Sequence, residues 1–167
     1  SMNYVAFSGG KDSTALVLRM AELGESFECI FTPTGNELPD LSPHMARVLE
    51  MAGNPPLHIP SGPSLVELIQ EFEALPNWRQ RWCTRQIKIV PCIAFLKGLA
   101  TYDFARREYN RPTLVVGLRA DEESREGLYG DFAHYRYPMR EWGWGIDDVL
   151  AYVKSRGVTI PRRTDCA

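Results

Sequence analysis

The chain has 167 residues, with 19 Lys and Arg against 21 Asp and Glu, so its formal charge is −2 at neutral pH. That balance excludes a generally basic nucleic-acid coat protein. A composition 44% hydrophobic and 24% charged is that of an ordinary soluble globular protein. The length suits one domain over residues 3–167, with Ser1 and Met2 read as a cloning remnant. A domain of roughly 150 residues buries about 68–70% of its unfolded surface, so it needs no disulfide staples. No apolar run approaches the roughly 20 residues that cross a bilayer. Ser8 to Asp12 interrupt the first apolar stretch at once, so no leader is expected there. A cytoplasmic protein without a membrane span is therefore expected.

In chain order, Tyr4 to Phe7 reads as a short buried strand and Ser8 to Lys11 as a turn. Asp12 to Leu23 carries Ala15, Leu16, Leu18, Met20 and Leu23, the apolar spacing of a helix on a sheet. Gly24 is its stop. Phe27 to Phe31 is a second strand, with Cys29 as a core residue, and Leu41 to Met51 a second helix ended by Gly53-Asn54-Pro55-Pro56. Leu57 to Ile59 is a short third strand, and Ser64 to Leu75 a helix. Thr84 to Leu99 is helical with a break or kink at Pro91, and a helix over Tyr102 to Arg107 follows. Thr113 to Leu118 is β-branched and apolar, a buried strand. Ala120 to Pro138 is polar and irregular, and Ile146 to Arg156 is a last helix. Strands alternating with helices predict an α/β domain, a doubly wound and mostly parallel sheet with helices on both faces.

Ser8-Gly9-Gly10-Lys11-Asp12-Ser13 carries the strongest chemical signal. It joins a strand to a helix, where unsatisfied N–H groups and about half a positive charge favour phosphate oxygens. Gly9 and Gly10 permit unusual backbone angles and close approach of an anion. Ser8 and Ser13 offer hydroxyl donors, and Asp12 can cap the helix. The spacing is not that of a Walker A loop. A β-branched residue at Gly10 is expected to abolish nucleotide binding without unfolding the chain.

The hexapeptide resembles the pyrophosphate-binding (PP) loop of the adenine nucleotide alpha hydrolase-like superfamily. Further segments resemble its sulfonucleotide (PAPS/APS) reductase branch: Thr34-Gly35-Asn36-Glu37-Leu38-Pro39, Arg81-Trp82-Cys83-Thr84 with Lys88 and Pro91, Gly117-Leu118-Arg119-Ala120-Asp121-Glu122, and Tyr137-Pro138 with Trp142 and Asp148-Val149. The resemblance spans roughly residues 4 to 161. It implies a Rossmann-like fold and an adenine nucleotide ligand (ATP, PAPS or APS). It implies that Ser8, Gly9, Gly10, Asp12 and Ser13 hold phosphates and that Thr34, Gly35 and Glu37 lie beside the nucleotide; Lys11, at the loop's variable position, and Gly117 and Arg119, at and after the end of the Thr113–Leu118 strand, are further candidate contacts. Arg119 and Lys88 match family positions suited to stabilising charge during catalysis.

Arg79, Arg81, Arg85 and Lys88 form a basic run, and Arg125, Arg136 and Arg140 lie further on. If they converge with Arg119 on the mouth of the sheet, Arg81, Arg85 and Arg125 become anion contacts. Asp121, Glu122 and Glu123 would orient those arginines or help hold Mg²⁺. The four tryptophans read as core or lid residues, and the three histidines show no ligand spacing.

The chain departs from the reductase pattern in three places. It has no ECGLH-like tail, and ends Arg162-Arg163-Thr164-Asp165-Cys166-Ala167. Cys166, beside two arginines, is the candidate nucleophile. Trp82-Cys83 stands where APS-specific reductases carry Cys-Cys, so Cys83 is a candidate cluster ligand. A four-thiolate iron–sulfur site is nevertheless not expected. Pro33 replaces the usual aspartate before Thr34.

Three functions remain open. The first is a sulfonucleotide reductase-like oxidoreductase of sulfur metabolism, with a thiol donor such as thioredoxin. The second is an ATP pyrophosphatase or adenylyltransferase serving sulfur or nitrogen transfer, under which a nucleic acid becomes a partner. The third is a non-catalytic nucleotide-binding module, as one part of an oligomer or complex.

Overall fold

The computed structural model describes residues 2–31, 41–60, 90–122 and 133–161. In chain order these form β1 (Asn3–Ala6), α1 (Lys11–Glu22), β2 (Glu28–Ile30), α2 (Leu41–Met51) and β3 (Leu57–His58). Then come α3 (Val90–Leu99), β4 (Thr101–Asp103), β5 (Glu108–Asn110), β6 (Thr113–Val115), β7 (His134–Arg136), α4 (Pro138–Trp142) and α5 (Ile146–Ser155). The predicted helix over Ser64 to Leu75, and the predicted helical residues before Val90, lie outside the described residues.

Among the described residues the main sheet has the order β3-β2-β1-β6-β7, and every neighbouring pair is parallel. Side chains alternate between two buried faces, as a covered parallel sheet requires. Val5, Cys29 and Val115 face one core, with Leu16, Val17 and Met20 of α1, Met45 and Val48 of α2, and Val149 and Val153 of α5. Tyr4, Ile30 and Leu114 face the other, with Cys92 and Leu96 of α3. Phe7, Leu16, Leu114 and Met139 are almost wholly buried. Each such side chain contributes roughly 1.5–3 kcal/mol of burial. The predicted α/β sheet with helices on both faces is the observed one.

Strand order reverses between β1 and β6. β1 leads through α1 to β2 on one side, whereas β6 pairs on the other side of β1. That reversal opens a crevice beyond the carboxyl ends of β1 and β6.

Two local expectations are corrected. Tyr102 to Arg107 is no helix but β4 and the turn of an antiparallel hairpin with β5. Asp103 Oδ1 accepts the N–H groups of Ala105 and Arg106, and Arg107 turns back at φ +57°. This side-chain turn outcompetes helical bonding. The polar stretch 120–138 contains the strand β7, which among the described residues pairs with β6 alone. The short helix α4 follows it, with Pro138 in its first turn and Gly143 in the left-handed region at its end.

Candidate functional site

The turn after β1 is built on a left-handed glycine. Gly9 has φ +83°, and a Cβ there would stand 2.7 Å from Leu41 Cδ1 and 3.1 Å from Met45 Cγ of α2. Both conformation and space therefore demand glycine. Gly10 differs. It is extended (φ −76°, ψ 177°), and an added Cβ would meet only Ser8 Oγ, at 3.5 Å.

The two serines knit the turn. Ser8 N–H donates to Ser13 Oγ at 3.1 Å, and the two hydroxyls share a 3.2 Å bond. Gly10 is the N-cap of α1, and Thr14 N–H donates to its carbonyl at 3.0 Å. The N–H groups of Lys11, Asp12 and Ser13 fall in the first turn, before intrahelical acceptors begin. Asp12 is not the cap expected from sequence, because α1 has no side-chain cap bond. Its Oδ2 instead accepts Arg119 Nη1 at 2.7 Å.

The loop after β6 lies against this turn. A Cβ on Gly117 would sit 3.5 Å from Ser13 N and from the backbone carbon of Asp12. Arg119 then takes three carboxylates. Besides Asp12, its Nε donates to Asp121 Oδ1 at 3.0 Å, and its Nη2 stands 3.7 Å from Glu122 Oε1. Glu122 Oε2 also accepts the Arg119 N–H at 2.9 Å. Desolvation works against the guanidinium, but the hydrogen bonds of Asp12 and Asp121 and the charges of Asp12 and Glu122 outweigh it and raise its pKa. Asp121 is held below the ordinary aspartate range, first by the Ile146 N–H that its Oδ2 accepts at 3.0 Å, and also by Arg119.

Arg140 of α4 fastens the same loop. Its Nη1 donates to the carbonyls of Arg119 and Glu122 at 3.1 and 2.8 Å. Nothing local in the sequence signals this role. Nor does it signal the Asp12–Arg119 pair, whose members are 107 residues apart. One usable cue is Asp148, three residues past Gly145, whose Oδ2 accepts the Gly145 N–H at the start of α5.

The predicted basic convergence is only partly a feature of the described residues. Arg136 pairs with Glu25 and Glu141, so it is engaged by acids rather than offered to an anion, and both partners raise its pKa. Within the two loops, Lys11 and Arg119 stand against Asp12, Asp121 and Glu122. Two of the five N–H donors of Arg119 are taken, by Asp12 and Asp121. Thr34, Gly35, Glu37, Arg81, Cys83, Arg85, Lys88, Glu123, Arg125, Trp78, Trp82 and Cys166 lie outside the described residues.

Burial pushes the Cys29 and Cys92 thiols up to about 12, so neither serves as a thiolate nucleophile. His44 is buried, with Nε2 at 3.2 Å from Thr14 Oγ1, and His58 Nε2 lies 2.6 Å from Glu28 Oε1. Trp142 and Trp144 pack on the α1 core, 5.1 Å apart between ring centroids.

Asp12 Oδ1 is buried and has no hydrogen-bond partner among the described residues. Among the described residues no group of three acidic, Cys or His side chains is placed to hold a metal ion. A hard cation at Asp12 would therefore take this one oxygen and complete its shell from phosphates and water, the usual habit of Mg²⁺.

The family model for the phosphoadenosine phosphosulfate reductase domain matches residues 2–129. None of the curated proteins matches the chain. Among solved structures, phosphoadenylyl-sulfate (PAPS) reductase from Candida auris, in a phosphate complex, aligns with a TM-score of 0.61 at 17% identity, over 96% of this chain and 75% of that one. A protein described as a predicted subunit of tRNA methyltransferase, from Methanocaldococcus jannaschii, aligns with a TM-score of 0.50 at 18% identity, over 95% and 90%. At these identities the structural likenesses speak to fold. No helix among the described residues is long and apolar enough to cross a membrane.

Proposed function

The chain belongs to the phosphoadenosine phosphosulfate reductase domain family, and from that premise we propose that it binds PAPS or APS on the Ser8–Ser13 turn and reduces the sulfonucleotide to sulfite. The observation that carries this reading is the turn itself. A glycine locked at φ +83° and two cross-bonded serines hold the first turn of α1 at the point where strand order reverses. Backbone N–H groups fixed in this way bind phosphate oxygens without reorganising.

The chemistry asked of the chain is modest. A thiolate attacks the sulfur of the sulfonucleotide, an S–S bond forms, and the sulfur–oxygen bond breaks with its electron pair going to the departing phosphate oxygen. A second thiol then attacks the enzyme sulfur, sulfite leaves with the S–SO₃ electron pair, and a disulfide remains. The turn holds the departing phosphate, and Arg119 neutralises its charge. Cys29 and Cys92 are too deeply buried to be the attacking thiol, which leaves Cys83 or Cys166, with Cys166 the proposed nucleophile. A reductant such as thioredoxin supplies the second thiol.

A second reading draws on the orphaned Asp12 Oδ1. A buried carboxylate oxygen without a donor suits a divalent cation carried by ATP. That would favour adenylyl transfer with release of pyrophosphate. Parallel calorimetric titration with PAPS, APS and Mg-ATP separates the two. Tighter binding of PAPS or APS, followed by sulfite release with a dithiol, is the expected result. Tighter binding of Mg-ATP with pyrophosphate release would replace reduction by adenylyl transfer, and no binding of any of the three would overturn the nucleotide assignment.

A further inference from the structure

The β4–β5 hairpin forms a separate two-stranded sheet just before β6, toward the end of the parallel strands opposite the Ser8–Ser13 turn, and carries residues that neither core uses. Tyr102 and Tyr109 are cross-strand partners with ring centroids 5.1 Å apart, and Phe104 meets Tyr102 edge-on at 4.9 Å. Strand alternation puts Tyr102 and Tyr109 on one face and the facing pair Asp103 and Glu108 on the other. The rings are exposed by 41% (Tyr102), 61% (Tyr109) and 84% (Phe104). Rings serving only to hold the hairpin together would be better covered than this.

Three arginines belong to the same hairpin, Arg106 and Arg107 in its turn and Arg111 just past β5. Arg106 is 77% exposed, and its carboxylate partner Asp103 is 3.9 Å away. Arg107 and Arg111 form no ion pair among the described residues. The hairpin thus carries exposed aromatic rings and three arginines against two acids, Asp103 and Glu108, which alternate away from the Tyr102–Tyr109 face.

We infer that this hairpin is a docking surface for single-stranded nucleic acid. Unpaired bases stack on exposed rings, while arginines beside them neutralise the backbone. A duplex hides its base faces and gains nothing from the rings. A second copy of this chain would bring the same three arginines against these, which charge complementarity disfavours. The inference does not depend on which nucleotide the Ser8–Ser13 turn takes.

The test is fluorescence anisotropy of the full chain with labelled RNA and DNA single strands of about 12 nucleotides, and with the matching duplex. Expected is single-strand binding with a dissociation constant of roughly 1–100 micromolar at physiological salt, weaker for the duplex. RNA and DNA strands compared side by side show which source is preferred. Phe104→Ala and Tyr109→Ala should each weaken binding about five-fold or more. Arg106→Ala and Arg107→Ala should each flatten the salt dependence by about 0.7 in log–log slope. Binding of a mononucleotide by these variants should be unchanged, so failure here and failure of the nucleotide reading are separable. Should an aromatic variant unfold, Phe104→Trp must retain binding and Arg106→Glu must reduce it. The inference is overturned if single strands do not bind, if duplex binds equally well, or if the aromatic variants fold and bind like wild type. Self-association in sedimentation that these variants abolish, with strand affinity unaltered, would assign the face to a second copy instead.

Discussion

Gly9 and Gly10 are neighbours in the turn after β1, yet substitution should affect them in opposite ways. At Gly9 an alanine must adopt φ +83°, which costs about 1–2 kcal/mol for an L residue. Its Cβ must also displace Leu41 Cδ1, 2.7 Å away, and crowd Met45. Such overpacking costs about 1–3 kcal/mol. Together Gly9→Ala should lose about 2–5 kcal/mol, a fall in melting temperature of roughly 4–20 °C for a chain of this size. Gly10→Val meets no such obstacle, since Gly10 is extended and only Ser8 Oγ lies near, at 3.5 Å. Its cost is that of a poor N-cap, about 1 kcal/mol. The branched side chain would, however, cover the approach to the first-turn N–H groups. Losing one charged hydrogen bond of about 1.5–3 kcal/mol lowers affinity roughly 10- to 150-fold. Thermal melts by circular dichroism and calorimetry with PAPS and APS read the two effects separately. A Gly10→Val chain that binds like wild type, or a Gly9→Ala chain that melts with it, would refute the reasoning about this turn.

Arg119→Ala leaves three carboxylates without their shared cation and should lose about 1–3 kcal/mol, seen as a lower melting temperature. Arg119→Lys should recover little, because one ammonium cannot span Asp12 and Asp121 together. Asp121 is depressed below the ordinary carboxylate value by the fold, so its contribution is present above roughly pH 4 and fades as pH falls through its lower, folded value. Melts of wild type and Asp121→Asn should therefore differ near neutrality and converge as acid is added. A gap that widened in acid would contradict the assignment. Cys29 and Cys92, raised to about 12, should resist alkylation by iodoacetamide at pH 8 in the native chain and react after unfolding, as read by peptide mass spectrometry.

The central sheet was legible because its strands are short apolar runs with turn residues behind them. Helix α2 was expected over Leu41 to Met51, the range observed. The hairpin was missed because Tyr102 to Arg107 has no distinctive period over so few residues, while Asp103 and the left-handed Arg107 decide its shape. Strand β7 was missed because an edge strand paired on one side needs little apolar character, and His134, Tyr135 and Arg136 supply little. The turn after β1 was visible as a motif, but which glycine is indispensable was not, since Leu41 and Met45 approach from another helix. The engagement of Arg119 by Asp12 was equally hidden, because local spacing carries no information across 107 residues.

The polar contacts around α1 and α5 join these two parallel helices at both ends. At their starts, Asp12 reaches Arg119, Arg119 reaches Asp121, and Asp121 accepts the Ile146 N–H. At their ends, Glu22 Oε2 accepts Tyr152 Oη–H at 2.9 Å and Arg156 Nη1–H at 3.0 Å. The pair is a ladder with two rungs about 15 Å apart, the length of a ten-residue helix. Sliding of one rail along the other strains both rungs at once. If Arg119 swings away to meet a ligand, the upper rung loses its link to Asp12, while the lower one and the Val149 and Val153 packing keep α5 on α1.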